Sequence, residues 1–141
     1  MAGNEAAAIG TMRALVSAET AYAASNGGLF DTPECLVAPA KCLPQYSGPP
    51  LVDPAYSSDF TKSGYIFRFY PGAPADSATA RARQLSPTSV TTFSYVAVPE
   101  TPRSTGTRSF CGDSSGEVCS LAEDAVTDRE GACPASCLAI R

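Results

Sequence analysis

One segment near the start of the chain, residues 4–26, constrains the fold more than any other. Its apolar residues fall within an arc of roughly 140° at about 100° per residue, the pattern of a helix lying on a core. They are Ile9, Met12, Leu15, Val16, Tyr22 and Ala23. Asn4 suits the N-cap position, and the glycine pair at 27–28 supplies a left-handed residue to end the helix. We therefore expect about six helical turns with one buried side.

The opposite face of this helix carries small, uncharged residues where a surface helix usually carries Lys, Glu or Gln. The row consists of Ala6, Ala7, Gly10, Ala14, Ser17, Ala21 and Ala24. Small side chains allow a second helix to approach closely, so Gly10, Ala14, Ser17 and Ala21 form a candidate assembly face. The alternative is that an alanine-rich chain simply uses its best helix former.

Length and charge limit the class of protein. At 141 residues the chain is long enough for one domain with a substantial core, so we expect a single domain over residues 1–141. A formal net charge of −4 does not favour a nucleic-acid surface, which needs clustered Lys and Arg. We expect no nucleic-acid partner and no small-molecule substrate.

The six cysteines and the lack of histidine carry more information than the charge. Metal sites and nucleophilic or general-base catalysis use histidine more than any other side chain, so we expect no enzyme, no metal and no cofactor. The cysteines form three closely spaced couples, Cys35 with Cys42, Cys111 with Cys119, and Cys133 with Cys137. This spacing favours disulfide bonds made in an oxidising compartment, and a zinc site is the less favoured alternative.

The remainder of the chain alternates loops with short strands. Residues 27–63 are dense in proline, which predicts a loop that contains the first cysteine couple. Strands are predicted at 64–70 and 91–98, and a tight hairpin at 108–120, so that residues 64–120 form an antiparallel sheet. Residues 121–141 are expected to form a C-terminal loop clamped to the sheet by cysteines. The fold class is α+β, with one helix on one face of the sheet.

The predicted hairpin suggests one disulfide bond directly. A three-residue turn at 114–116 places Cys111 opposite Cys119, which allows a bond across the strands. Cys133 then pairs with Cys137 by elimination, whereas a bond from Cys111 to Cys133 or Cys137 would clamp the last loop onto the sheet. The segment also resembles the Gly-Asp-Ser-x-Gly surround of a trypsin-like serine, but the chain has no histidine to activate such a serine.

Two further patterns leave alternatives open. Glu19 falls within the apolar arc, so it either pairs with Arg68 on the first predicted strand or extends past the sheet into water. The alternating aromatic residues of the two strands form the core that receives the helix or, less favourably, a platform for stacking bases or sugars. They are Tyr65, Phe67, Phe69, Phe93 and Tyr95.

Taken in order, these features resemble one known family. The helix pattern at 4–22 is Asn-Glu-Ala-x-Ala-Ile-Gly-x-x-Arg-x-x-x-Ser-Ala-x-x-x-Tyr. It is followed by the strand Gly-Tyr-Ile-Phe-Arg-Phe-Tyr at 64–70 and by Arg-Ser-Phe-Cys-Gly-Asp-Ser-Ser-Gly at 108–116. This order resembles bacterial type IV pilin-like proteins and the pseudopilins of type II secretion.

The resemblance implies a pilin-like fold, with the apolar stripe on a sheet of about four strands and the small-residue face turned to a filament core. It also implies a leader and an apolar half-helix ahead of Asn4 as the only link to a membrane. Independently of the resemblance, residues 1–3 look like an expression start rather than a signal peptide, because no apolar run follows them. The expected partners are other copies or other pilins in an extracellular or periplasmic filament. A secreted, disulfide-stabilised monomeric binding module is the alternative, and a secreted enzyme is less favoured.

Overall fold

The computed structural model describes residues 1–122 and 131–140, which contain four helices and six strands. The helices are α1 (Ala2–Ser25), α2 (Pro33–Val37), α3 (Pro39–Cys42) and α4 (Ser77–Ala82). The strands are β1 (Asp59–Lys62), β2 (Tyr65–Pro71), β3 (Phe93–Pro99), β4 (Arg108–Asp113), β5 (Val118–Ala122) and β6 (Leu138–Ala139). The predicted α+β class with one long N-terminal helix is confirmed.

The sheet is an antiparallel meander in which each strand pairs with the next along the chain, from β1 to β6. The described part of the chain therefore has six strands rather than about four. The additional strands, β1 and β6, lie within the segments predicted as loops, and they have four and two residues at the two edges of the sheet. Elements this short show too few alternations for the pattern of the sequence to reveal them.

α1 lies across β3, β4 and β5 and buries the predicted apolar side. Met12 and Leu15 are completely shielded from solvent, and Val16 is 6 % exposed. The helix approaches β4 closely because Gly112 has no side chain, since a Cβ atom there would lie 2.8 Å from Cγ2 of Val16. Any larger residue at Gly112 would push the helix away from the sheet.

The aromatic residues of β2 and β3 form the core beneath α1, as the favoured alternative predicted. Tyr65, Phe67, Phe93 and Tyr95 are fully buried, and Phe69 is half-buried against the same cluster. Burial of each such side chain contributes about 1.5–3 kcal/mol to folding. The platform interpretation is wrong, because the faces of these rings contact the protein rather than solvent.

The two ends of α1 differ in how well they were predicted. The N-cap role of Asn4 is wrong, because the helix already begins at Ala2 and the Asn4 amide donates to the carbonyl oxygen of Thr105 at 3.1 Å. The glycine stop at 27–28 is confirmed by φ angles of 63° and 87°. The N–H of Gly28 donates to the carbonyl oxygen of Ala23 at 2.8 Å.

The proline-rich segment after α1 contains two short helices in addition to loop. Both α2 and α3 carry proline in their first turn, where the missing N–H group costs nothing, and the Thr32 hydroxyl caps α2. Leu36 and Leu43 are buried against Tyr22, as expected of residues that anchor this segment to the body.

Candidate functional site

The candidate assembly face is the exposed side of α1. Gly10, Ala14, Ser17 and Ala21 are all solvent-exposed, and a Cβ atom at Gly10 would meet no other atom within 4 Å. The rest of the row, Ala6, Ala7 and Ala24, is exposed as well. From Ala6 to Ala24 this face extends about 27 Å along α1. The prediction that these residues lie on the side of α1 opposite the buried apolar stripe is therefore confirmed.

Few charges border this face, because two of the three charged residues of α1 are engaged elsewhere. Glu5 accepts hydrogen bonds from the N–H and hydroxyl groups of Thr107, both at 2.9 Å, and forms an ion pair with Arg108 at 3.3 Å. Burial opposes the charge of Glu5, but these hydrogen bonds and the Arg108 guanidinium lower its pKa to about 2. Glu19 points into the core, which leaves Arg13 as the exposed charge of α1.

A groove of about 540 Å³ adjoins the assembly face between α1, the β4–β5 turn and β6. It is lined by Arg13, Val16, Ser17, Gly116, Glu117, Val118, Ala139 and Ile140. It therefore offers apolar side chains together with one charge of each sign. Leu138, beside the groove on the edge strand, is 72 % exposed.

The six cysteines form three disulfide bonds, and only one of the predicted pairings is correct. They join Cys35 to Cys42, Cys111 to Cys133, and Cys119 to Cys137, with Cα atoms 5.7, 5.9 and 5.4 Å apart. No free cysteine remains, so no thiolate is left for the zinc alternative. The predicted bonds within the hairpin and within the last couple are wrong.

The reason lies in where the C-terminal segment runs. Cys111 and Cys119 are opposite each other in register, as the hairpin predicted, but both lie on the face of the sheet away from α1. The segment that carries Cys133 and Cys137 covers this face, so each strand cysteine bonds to a sulfur above the sheet. The predicted clamping of the C-terminal loop by cysteines is thus confirmed, and residues 123–130 and 141 of that loop lie outside the described residues.

Glu19 is fully buried, and its partners differ from both sequence-based alternatives. Its Oε2 accepts from the Tyr95 hydroxyl at 2.7 Å, and its Oε1 accepts from the N–H of Asp31 at 3.1 Å. Arg68 is exposed and pairs instead with Asp59 at 3.6 Å. Burial raises the pKa of Glu19 to about 8, although both hydrogen bonds favour the charged form.

A second polar cluster, which the sequence analysis missed, joins the end of α1 to two loops. Asp31 is buried and accepts from the hydroxyl groups of Tyr22 and Thr88, both at 2.6 Å. The buried Asn26 amide donates to the Ser89 hydroxyl oxygen at 2.8 Å. No local pattern marks these residues, because Asp and Asn near a helix end are ordinary turn residues. Their shielding from solvent fits a structural role.

The Gly-Asp-Ser-Ser-Gly segment forms the turn between β4 and β5. Asp113 accepts from the N–H of Ser115 at 3.0 Å and from the N–H of Cys133 at 2.8 Å. Gly116 has a φ angle of 89°, as the predicted turn requires. This carboxylate therefore fastens the turn to the C-terminal segment. The absence of hydrolase activity stays a prediction.

Comparisons with known proteins do not identify a relative. No protein-family model, no curated protein and no solved structure matches the chain. Within residues 1–122 and 131–140, no helix has both the length and the apolar character needed to cross a membrane. Inference about function therefore rests on the surfaces and bonds described above.

Proposed function

We propose that this chain is a structural subunit of a type IV pilus or pseudopilus filament, in which α1 packs against helices of neighbouring subunits. The exposed face of α1 carries the proposal. Over about 17 Å of the helix axis it presents small side chains at Gly10, Ala14, Ser17 and Ala21, and Arg13 is the exposed charged residue of α1 beside them. Such a face lets helix backbones approach closely.

Two residues weigh against the simpler explanation that alanine is used for its helix propensity. Gly10 and Ser17 lie at the centre of the face, and both are poorer helix formers than alanine, by up to about 1 kcal/mol for glycine. Neither is buried in the subunit, so its own packing does not require them to be small. Contact with a second helix accounts for both.

The disulfide bonds support the proposed location outside the cytoplasm. All six cysteines are oxidised, which fits an extracellular filament or the periplasm and does not fit a reducing compartment. The proposed partners are other copies of this chain or other pilins.

Site-directed crosslinking tests the proposal. Ala14→Cys adds a lone thiol at the centre of the face, and mild oxidation in the producing cells should yield disulfide-linked dimers of the native protein, since each chain then has one free thiol. Ala40→Cys, at an exposed alanine of α3, is the matched control and should stay monomeric. Monomers from both variants would contradict the proposal and would favour the monomeric secreted binding module.

A second test separates folding from assembly. Ala14→Leu or Ser17→Leu should leave the melting temperature of the isolated domain almost unchanged, because both sites are exposed. In a filament the added volume should cost about 1–3 kcal/mol at each contact and strongly reduce filament yield. Ala40→Leu should affect neither property. Normal filaments from the Gly10→Leu, Ala14→Leu double variant would contradict the proposal and would mean that the small residues of this face reflect helix propensity alone.

A further inference from the structure

A large open cavity lies beyond the C-terminal end of α1, away from the assembly face. Its volume is about 1050 Å³, which is at the upper end for small-molecule sites. Residues 41–48 line one wall, residues 77–87 supply the other, and Ser25 lies where α1 ends. None of the four assembly-face residues contributes to it.

The charges around this cavity are all of one sign. Lys41, Arg81 and Arg83 line it, and no carboxylate is among its lining residues, all of which are described. Within residues 1–122 and 131–140, none of these three cations forms an ion pair. A chain with a net charge of −4 thus gathers three cations around one concavity, which attracts anions.

Both walls of the cavity are held in place by the fold. The Cys35–Cys42 disulfide bond and the buried Leu43 fix the first wall. In the second wall Ala80 is buried, and the segment after α4 is tied to the end of α1. The amides of Gln45 and Gln84 bond to each other at 3.3 Å from opposite walls. The cavity is therefore preformed rather than created by a ligand.

The other lining groups indicate what kind of anion fits. Tyr46 and Leu85 are half-buried and offer apolar surface, while the amides of Gln45 and Gln84 and nearby serine hydroxyls can bond to sugar hydroxyl groups. Guanidinium groups bind carboxylate and sulfate through paired hydrogen bonds. Single-stranded nucleic acid is a poorer match, because it needs cations along an extended track and several stacking rings.

We propose that this cavity binds a short segment of an acidic polysaccharide, with Lys41, Arg81 and Arg83 holding its carboxylate or sulfate groups. The apolar surface at Tyr46 and Leu85 contacts the sugar rings. The guanidinium of Arg83 lies against Gly27, just past the end of α1, and lines the cavity. This site does not depend on filament assembly, so it can be tested on the monomeric chain.

Binding of the full chain to heparin, a sulfated polysaccharide, and to oligogalacturonate, a carboxylated one, tests the proposal by calorimetry. Neutral dextran is the ligand control. The Arg81→Gln, Arg83→Gln double variant should bind both acidic ligands about tenfold more weakly or worse. The matched control is Arg13→Gln, Arg68→Gln, which removes the same charge elsewhere and should weaken binding less than about twofold.

Amide chemical shifts of the wild-type chain give a second readout, with changes on heparin addition expected at residues 41–48 and 77–87. If the double variant melts at a lower temperature, Lys41→Gln replaces it, since that side chain is exposed. Equal losses in the two double variants, shift changes elsewhere, or equal binding of dextran would overturn the proposal. So would tighter binding of a single-stranded oligonucleotide of the same charge.

Discussion

Replacing Glu19 with glutamine should change how the stability of the protein depends on pH. In the native protein this carboxyl is fully buried between the Tyr95 hydroxyl and the N–H of Asp31, and burial raises its pKa to about 8. A glutamine can accept from Asp31 with its carbonyl oxygen and donate its amide to the Tyr95 oxygen. Glu19→Gln therefore keeps both partners, with the direction of the Tyr95 hydrogen bond reversed, and removes the proton equilibrium.

The size of the effect follows from the two pKa values. The unfolded chain titrates this carboxyl near its ordinary pKa of 4.5, whereas the folded protein keeps the proton up to about pH 8. Because the folded-state pKa is the higher one, stability is complete below about pH 4.5 and declines until pH has passed the folded pKa. Each pH unit in this window costs about 1.4 kcal/mol, so the total loss is at most roughly 5 kcal/mol.

The window is favourable for measurement because few other groups titrate in it. The chain has no histidine, and all its cysteines are oxidised. Urea denaturation with the disulfides intact, at about pH 5 and about pH 9, gives the free energy of unfolding at each end. We expect Glu19→Gln to match wild type near pH 5 and to exceed it by several kcal/mol near pH 9.

Asp59→Asn is the matched control, since it neutralises an exposed carboxylate and should leave the pH dependence of stability unchanged. Parallel stability curves for wild type and Glu19→Gln would refute the reasoning. They would mean that the buried carboxyl keeps an ordinary pKa in the folded protein.

Three other perturbations test the helix phase, the first turn of α1 and the hairpin turn. Val16→Asp should unfold the domain by placing an unpaired charge under α1, whereas Ala14→Asp should fold normally. Circular dichroism measures both, and equal effects would mean that the buried and exposed sides of α1 are wrongly assigned. Glu5→Gln should lower the free energy of unfolding, measured by urea denaturation, by about 1–3 kcal/mol near neutral pH. Below about pH 2 it should have no effect, because Glu5 is then protonated in both the folded and the unfolded chain. A fluorophosphonate probe should not label the turn serines at 114–115, and labelling there would reveal hydrolase chemistry.

The parts of the fold that the sequence predicted well depend on local repetition. The buried side of α1 could be predicted because its apolar spacing persists over about six turns. The register of Cys111 opposite Cys119 followed from a short turn with glycine in a left-handed conformation. In both cases neighbouring residues alone determine the geometry.

The features that were missed depend on segments far apart in the chain. Tyr95, which bonds to Glu19, is 76 positions away from it, and nothing near either residue marks the pairing. The disulfide connectivity depends on where the C-terminal segment crosses the sheet, which no spacing of cysteines encodes. The cationic cavity likewise arises only when the loop at 41–48 meets α4.

The two bonds that tie β4 and β5 to the C-terminal segment also have a mechanical consequence. α1 packs mainly against β4, so a pull on the helix reaches the strand that carries Cys111. An unfolded chain extends by up to about 3.5 Å per residue, so the segment from 111 to 137 has a contour length of roughly 90 Å. The Cys111–Cys133 and Cys119–Cys137 disulfide bonds close overlapping loops within this segment and prevent most of that extension. Under tension this half of the subunit can yield only slightly before covalent bonds carry the load.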